Sequence, residues 1–206
     1  MLFAQAHQWP GFLQVTYRAG LNWAARGEDC LNPHYSAFFS YVFEQLGGFI
    51  GPQVPYHSRG RRSIDFILMK VAQFKDGAAY IPICVVELKD VNMDRGKPSL
   101  RLNFDSQMRS RLRTLVNYCL LPVLYGLSVV GDRMRVYKAQ GNTITPDTEP
   151  VNPRFCLPSN YLSQAWQTQI LHREGLLELQ EIVSNIAEML EQTFEEEVSG
   201  KYETYD

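Results

Sequence analysis

The chain has 206 residues, is 45% hydrophobic and carries a net charge of −2. That is enough apolar material for one packed domain without covalent staples. Four scattered cysteines (Cys30, Cys84, Cys119, Cys156) with no CxxC pair argue against a zinc ribbon and fit a reducing compartment. The N-terminus lacks the charged-then-apolar pattern of a secretory leader, and no apolar stretch is long enough to span a bilayer. The expectation is an intracellular protein, cytoplasmic or nuclear, with no membrane partner.

In chain order, a helix is expected within 11–26. Asn32-Pro33 supplies an N-cap and a first-turn proline for a helix over Tyr35 to Leu46, which includes Glu44 and stops at Gly47-Gly48. Phe49 to Tyr56 reads as a strand, 57–62 as a polar turn, and Ser63 to Phe74 as a second strand. Asp76-Gly77 turns into a third strand, Tyr80 to Lys89, paired antiparallel with the second. After a polar loop to Pro98, a helix over Ser99 to Cys119 buries Phe104, Met108, Leu112, Leu115 and Cys119. Val123 to Val130 and Met134 to Ala139 are strands joined at Gly131-Asp132-Arg133. Residues 140–158 read as a loop and everything from Ser159 as helical, with a stripe through Leu176, Leu179, Ile186 and Phe194. The order predicts an α/β sandwich with a central mixed sheet. A domain over 1–158 (core about 33–139) is followed by a helical segment over 159–206, packed on the core or mediating a homodimer or a protein partnership.

Charge is unevenly spread. Arg59 to Arg113 holds 12 Lys/Arg against 6 Asp/Glu, while Glu174 to Asp206 holds 10 acids against Lys201. A basic middle points to a polyanion such as nucleic acid. Candidate phosphate contacts are Arg59, Arg61, Arg62, Arg95, Lys97, Arg101, Arg109, Arg111 and Arg113.

Asp65, Glu87 and Lys89 are charges set in apolar strands. Glu87 and Lys89 are two apart and share a face, and the hairpin can bring Asp65 beside them. Two close carboxylates call for a cation, and Mg²⁺ or Mn²⁺ prefers such oxygen ligands. Asp65 and Glu87 are the expected metal ligands, with the Leu88 carbonyl and Glu44 as additions. Lys89 would orient the attacking water or stabilise phosphate charge.

Asp65, 21 intervening residues and then Glu87-Leu88-Lys89 resemble the PD-(D/E)XK nuclease superfamily over about 33–139. The resemblance implies a restriction-endonuclease-like three-layer sandwich and metal-dependent phosphodiester hydrolysis, of DNA more than RNA. Ile64 stands where the family has proline. Gln107 matches a glutamine that many members direct at the metal. Arg111 stands where one subgroup has tyrosine, and shares a helical face with Gln107. His34 and His57 are further candidates; some relatives use a helical histidine as a metal ligand, a role for which His34 sits one turn early. Two other readings of the same residues are a catalytically inactive binding or scaffolding module, and plain structural ion pairs.

Overall fold

The computed structural model describes residues 3–23, 32–55, 63–74, 77–89, 97–148 and 156–199. Among these residues there are four α-helices: α1 (Gly11–Trp23), α2 (Asn32–Phe43), α3 (Pro98–Leu115) and α4 (Arg173–Ser199). Seven strands form one open sheet: β1 (Phe49–Pro55), β2 (Ser63–Phe74), β3 (Gly77–Lys89), β4 (Leu124–Val130), β5 (Arg133–Gln140), β6 (Thr143–Thr145) and β7 (Thr168–Gln169). Strands β1 to β6 lie side by side in sequence order, and β7 pairs with β5. The sheet is mixed: β3 and β4 run parallel, with α3 as their crossover, and the other neighbours are antiparallel.

Alternation along the strands sorts the core onto two faces. Cys84, Val86, Leu88, Tyr125, Leu127 and Val129 join α1, α2 and α4 in the larger cluster. Val85, Leu124 and Tyr137 meet Met108 and Leu112 of α3 on the other face. Helices therefore cover both faces. Helix α3 comes in close because Gly126 has no side chain: a Cβ there would lie 2.8 Å from Met108 Sδ and 3.0 Å from a Leu112 methyl.

The larger face is anchored by aromatics. Tyr17 of α1 and Tyr35 of α2 both donate to the Gly131 carbonyl, at 2.7 and 2.6 Å. The stripe of α4 (Leu176, Leu179, Ile182, Val183, Ile186, Leu190) is buried in this same core. Its partner is the domain itself, and Gln180 ties it further to the Phe3 and Ala6 carbonyls. No helix among the described residues is long and apolar enough to cross a membrane.

Four expectations change. Residues 159–172 are not helical; they form turns and β7, and α4 begins only at Arg173. The stretch after β5 is not all loop, because Gly141-Asn142 turns into β6. Helix α2 ends at Phe43, so Glu44 lies on a 3₁₀ turn (Glu44–Leu46), closed by Gly47 in the left-handed conformation. Similarly α3 stops at Leu115, before a 3₁₀ turn over Val116–Tyr118.

Candidate functional site

The candidate site forms where the end of β3 passes under α3. Glu87 is 0% exposed. Lys89 Nζ lies 2.6 Å from one of its oxygens and Arg111 Nη1 lies 2.9 Å from the other. The two cationic side chains are 12% and 11% exposed. Neither contact is aligned as a hydrogen bond, and neither carboxylate oxygen has a hydrogen-bond partner. The interaction is therefore charge on charge, in a setting where polar atoms normally find aligned partners. Lys89 Nζ also sits 5.9 Å from the centre of the Phe104 ring. Gln107 is one turn before Arg111 on α3, and its Oε1 is likewise buried without a hydrogen bond.

Position 89 is fixed from behind. The Gly131 N–H donates to the Lys89 carbonyl at 3.3 Å, and the Gly131 carbonyl is the one gripped by Tyr17 and Tyr35. The turn between β4 and β5 thus ties the end of β3 to α1 and α2.

Asp65 lies in β2, next to Phe66, which pairs with Val86. Extending that register sets position 65 opposite position 87; the side chain of Asp65 lies outside the described residues. Leu88 packs on the opposite face, and its backbone pairs across Val129. Glu44 is not brought to Glu87. It is exposed and borders a cavity with Phe12, Tyr41 and Leu68, on the face opposite α3. The cause is that α2 packs on the face that carries Leu88, whereas Glu87 faces α3 on the other. Among the described residues no group of three or more His, Cys, Asp or Glu gathers as a metal site. The donors that do fit a hard cation are oxygens lacking hydrogen bonds: both of Glu87 and Oε1 of Gln107.

A second charged cluster lies further along α3. Asp105 is 1% exposed and accepts a 2.7 Å hydrogen bond from Arg109 Nε and a 3.1 Å bond from the Tyr137 hydroxyl. Arg135 Nη1 adds a charge contact at 3.2 Å. The Arg135 guanidinium lies 5.0 Å from the Tyr137 ring centre and 5.5 Å from that of Trp166. Burial, foremost, raises the Tyr137 hydroxyl well above its ordinary pKa. It therefore remains a donor to Asp105.

Two arginines expected at phosphates are turned inward instead. Arg109 donates to the Ile144 carbonyl at 3.2 Å and to that of Pro146. Arg101 donates to the carbonyls of Tyr161 and Ser159. These carbonyls belong to turns and strand ends packed against α3, where buried acceptors need donors. Lys97 and Arg113 are exposed. Arg59, Arg61, Arg62, Arg95, His57 and the side chain of His34 lie outside the described residues. Sequence reasoning did not single out Asp105, Arg135, Tyr137 or Trp166. The i, i+4 spacing of Asp105 and Arg109 was the available signal.

Comparison with known protein families, curated proteins and solved structures finds no match to this chain.

Proposed function

We propose that the chain is a metal-dependent nuclease that hydrolyses phosphodiester bonds in nucleic acid, DNA in preference to RNA, on a restriction-endonuclease-like sandwich. The full burial of Glu87 carries this reading: taking a carboxylate out of water is costly even when it is paired, and such departures from good packing gather at functional sites. The helix face above it carries Gln107 and Arg111, as the resemblance implies for the first of these.

Mg²⁺ or Mn²⁺ is the cofactor that suits an all-oxygen donor set. Glu87 and Asp65, with the Leu88 carbonyl and Gln107, are the residues that would hold it. When bound, the ion supplies Lewis acidity and hydroxide near neutral pH. Lys89, released from Glu87, would hold the attacking water or neutralise the phosphate. Arg111 would draw a non-bridging phosphate oxygen toward the same point. Lys97, with Arg59, Arg61 and Arg62, would add contacts along the backbone. Arg101 and Arg109 drop out of that set, because their donors are spent on main-chain carbonyls.

A second reading is a nucleic-acid-binding or scaffolding module that does not cut. The 2.9 Å approach of Arg111 to Glu87 favours it, since this guanidinium fills a place at the carboxylate. A cleavage panel of single-stranded DNA, duplex DNA and RNA, each with Mg²⁺ or Mn²⁺, separates the two. Cleavage that falls by about 100-fold or more in Lys89→Ala and Glu87→Gln is the expected result. Salt-sensitive binding without cleavage in either metal selects the second reading. Neither binding nor cleavage removes both.

A further inference from the structure

Among the described residues the outer edge of β5 is only partly covered. Met134 pairs with Thr168 of β7, and Lys138 pairs with Thr145 of β6. Both hairpins of β5 close on two-residue turns, Gly131-Asp132 and Gly141-Asn142, so their closing pairs are hydrogen-bonded and the ladder alternates from there. Arg133, Arg135 and Tyr137 thus turn their N–H and C=O groups to β4, whereas Met134, Val136 and Lys138 turn theirs outward. Val136 presents a donor and an acceptor at the point that neither flanking strand reaches.

The gap is built by side-chain contacts. Continued by one more pair, β6 would set Asp147 opposite Val136. The chain leaves the edge before this pair: the Pro146 carbonyl is turned to Arg109 of α3. Extended likewise, β7 would set Trp166 there. Trp166 is instead buried beneath the sheet against Phe104, with its indole N–H donating to Ser128 at 3.2 Å. Two cavities, of about 440 and 370 Å³, meet at this point and share Val136, Pro146 and Glu178. Their rim carries Asp147, Glu178 and Glu181. Of the two cations bordering them, Arg135 is buried and engaged by Asp105, which leaves Lys138.

From this we infer that the notch at Val136 is a docking site for a short extended peptide segment with a basic side chain. Its main chain completes the ladder at Val136, in the manner of strand addition at an exposed sheet edge. Its Lys or Arg reaches Glu178 and Glu181 on α4. The space between β6 and β7 limits the paired part to about three residues, roughly 10 Å of strand. Acidic side chains at the rim select this occupant over a phosphate backbone, so the surface is separate from the site at Glu87.

The test is an NMR titration of the ¹⁵N-labelled full chain with the blocked pentapeptide acetyl-Thr-Val-Lys-Val-Thr-amide and with its glutamate-centred counterpart. The Val136 amide should exchange readily in the free chain, then shift together with those of Lys138 and Glu178 on adding the lysine peptide. The lysine peptide should bind about tenfold more tightly than the glutamate one, as two rim ion pairs allow. Glu178→Lys combined with Glu181→Lys should reverse that order while leaving the α3 and β3 signals in place. A Val136 amide already protected in the free chain overturns the inference. Sedimentation then tells whether a second copy or the chain itself covers the edge. Equal binding of the two peptides, shifts elsewhere, or a phosphate-bearing oligonucleotide shifting the same amides overturns it too.

Discussion

Helix α3 covers two charge clusters of the same composition and opposite character. Among the described residues each sets two cations at one buried carboxylate: Lys89 and Arg111 at Glu87, Arg109 and Arg135 at Asp105. At Asp105 the carboxylate accepts aligned hydrogen bonds from Arg109 and Tyr137, and the second guanidinium is held near two aromatic rings. At Glu87 the cations are as close, yet neither contact is aligned as a hydrogen bond. Arg135 Nη1 also lacks an aligned hydrogen bond, so the difference lies in the carboxylates: one with its donors aligned rigidifies a fold, and one without them can still take up a hard cation. We read the first as the fixture that holds α3 in place and the second as the working site.

The largest effect should come from breaking the fixture. Asp105→Asn leaves two buried guanidiniums without their countercharge, and loss of one partner of a buried pair costs about 3–5 kcal/mol. Urea unfolding of the variant measures it. A loss under 1 kcal/mol would erase the contrast between the clusters. The same change at the other cluster, Glu87→Gln, should cost about 1 kcal/mol. Lys89 and Arg111 each retain some exposure and can turn to water. If the two losses are equal, both clusters are structural, and the nuclease reading loses its main support.

The contrast also explains what could be read from the sequence. The hairpin of β2 and β3, the place of α3 and the shared face of Glu87 and Lys89 follow from period-two and helical spacing, which are local patterns. Arg101 and Arg109 looked like surface cations because their acceptors are distant in sequence: carbonyls at 159 and 161, and at 144 and 146. No spacing rule encodes a side chain bonded to main chain some 35 to 60 residues away. The segment around Trp166 misled for a related reason. Its leucines and aromatics suit a helix, but burial of Trp166 against Phe104 and Ser128 fixes irregular turns instead. Tertiary contacts overrode a weak local preference. The Thr143–Thr145 strand was within reach, since Gly141-Asn142 ahead of an alternating triplet is a hairpin signal.

Two small changes sharpen the comparison by their sign. Tyr137→Phe removes one hydrogen bond from Asp105 while keeping the ring beside Arg135 and Arg109. It should destabilise the fold by about 1 kcal/mol. Its thermal midpoint should fall, and any cleavage by the intact chain should change little.

Gln107→Met should move stability the other way. The Oε1 of Gln107 is buried without a hydrogen bond, so the folded state bears its desolvation and recovers nothing for it. A thioether of similar length fills the same space without a polar atom to satisfy, and a gain of up to about 1 kcal/mol is expected. Under the proposed function the same change removes an oxygen from the metal donor set, so cleavage should weaken and need more Mg²⁺ for half-maximal rate. Stability gained while metal dependence worsens is the signature of a group kept for function at the expense of the fold. Stability lost with metal dependence unchanged would place Gln107 with Asp105, among the residues that only hold α3 where it is.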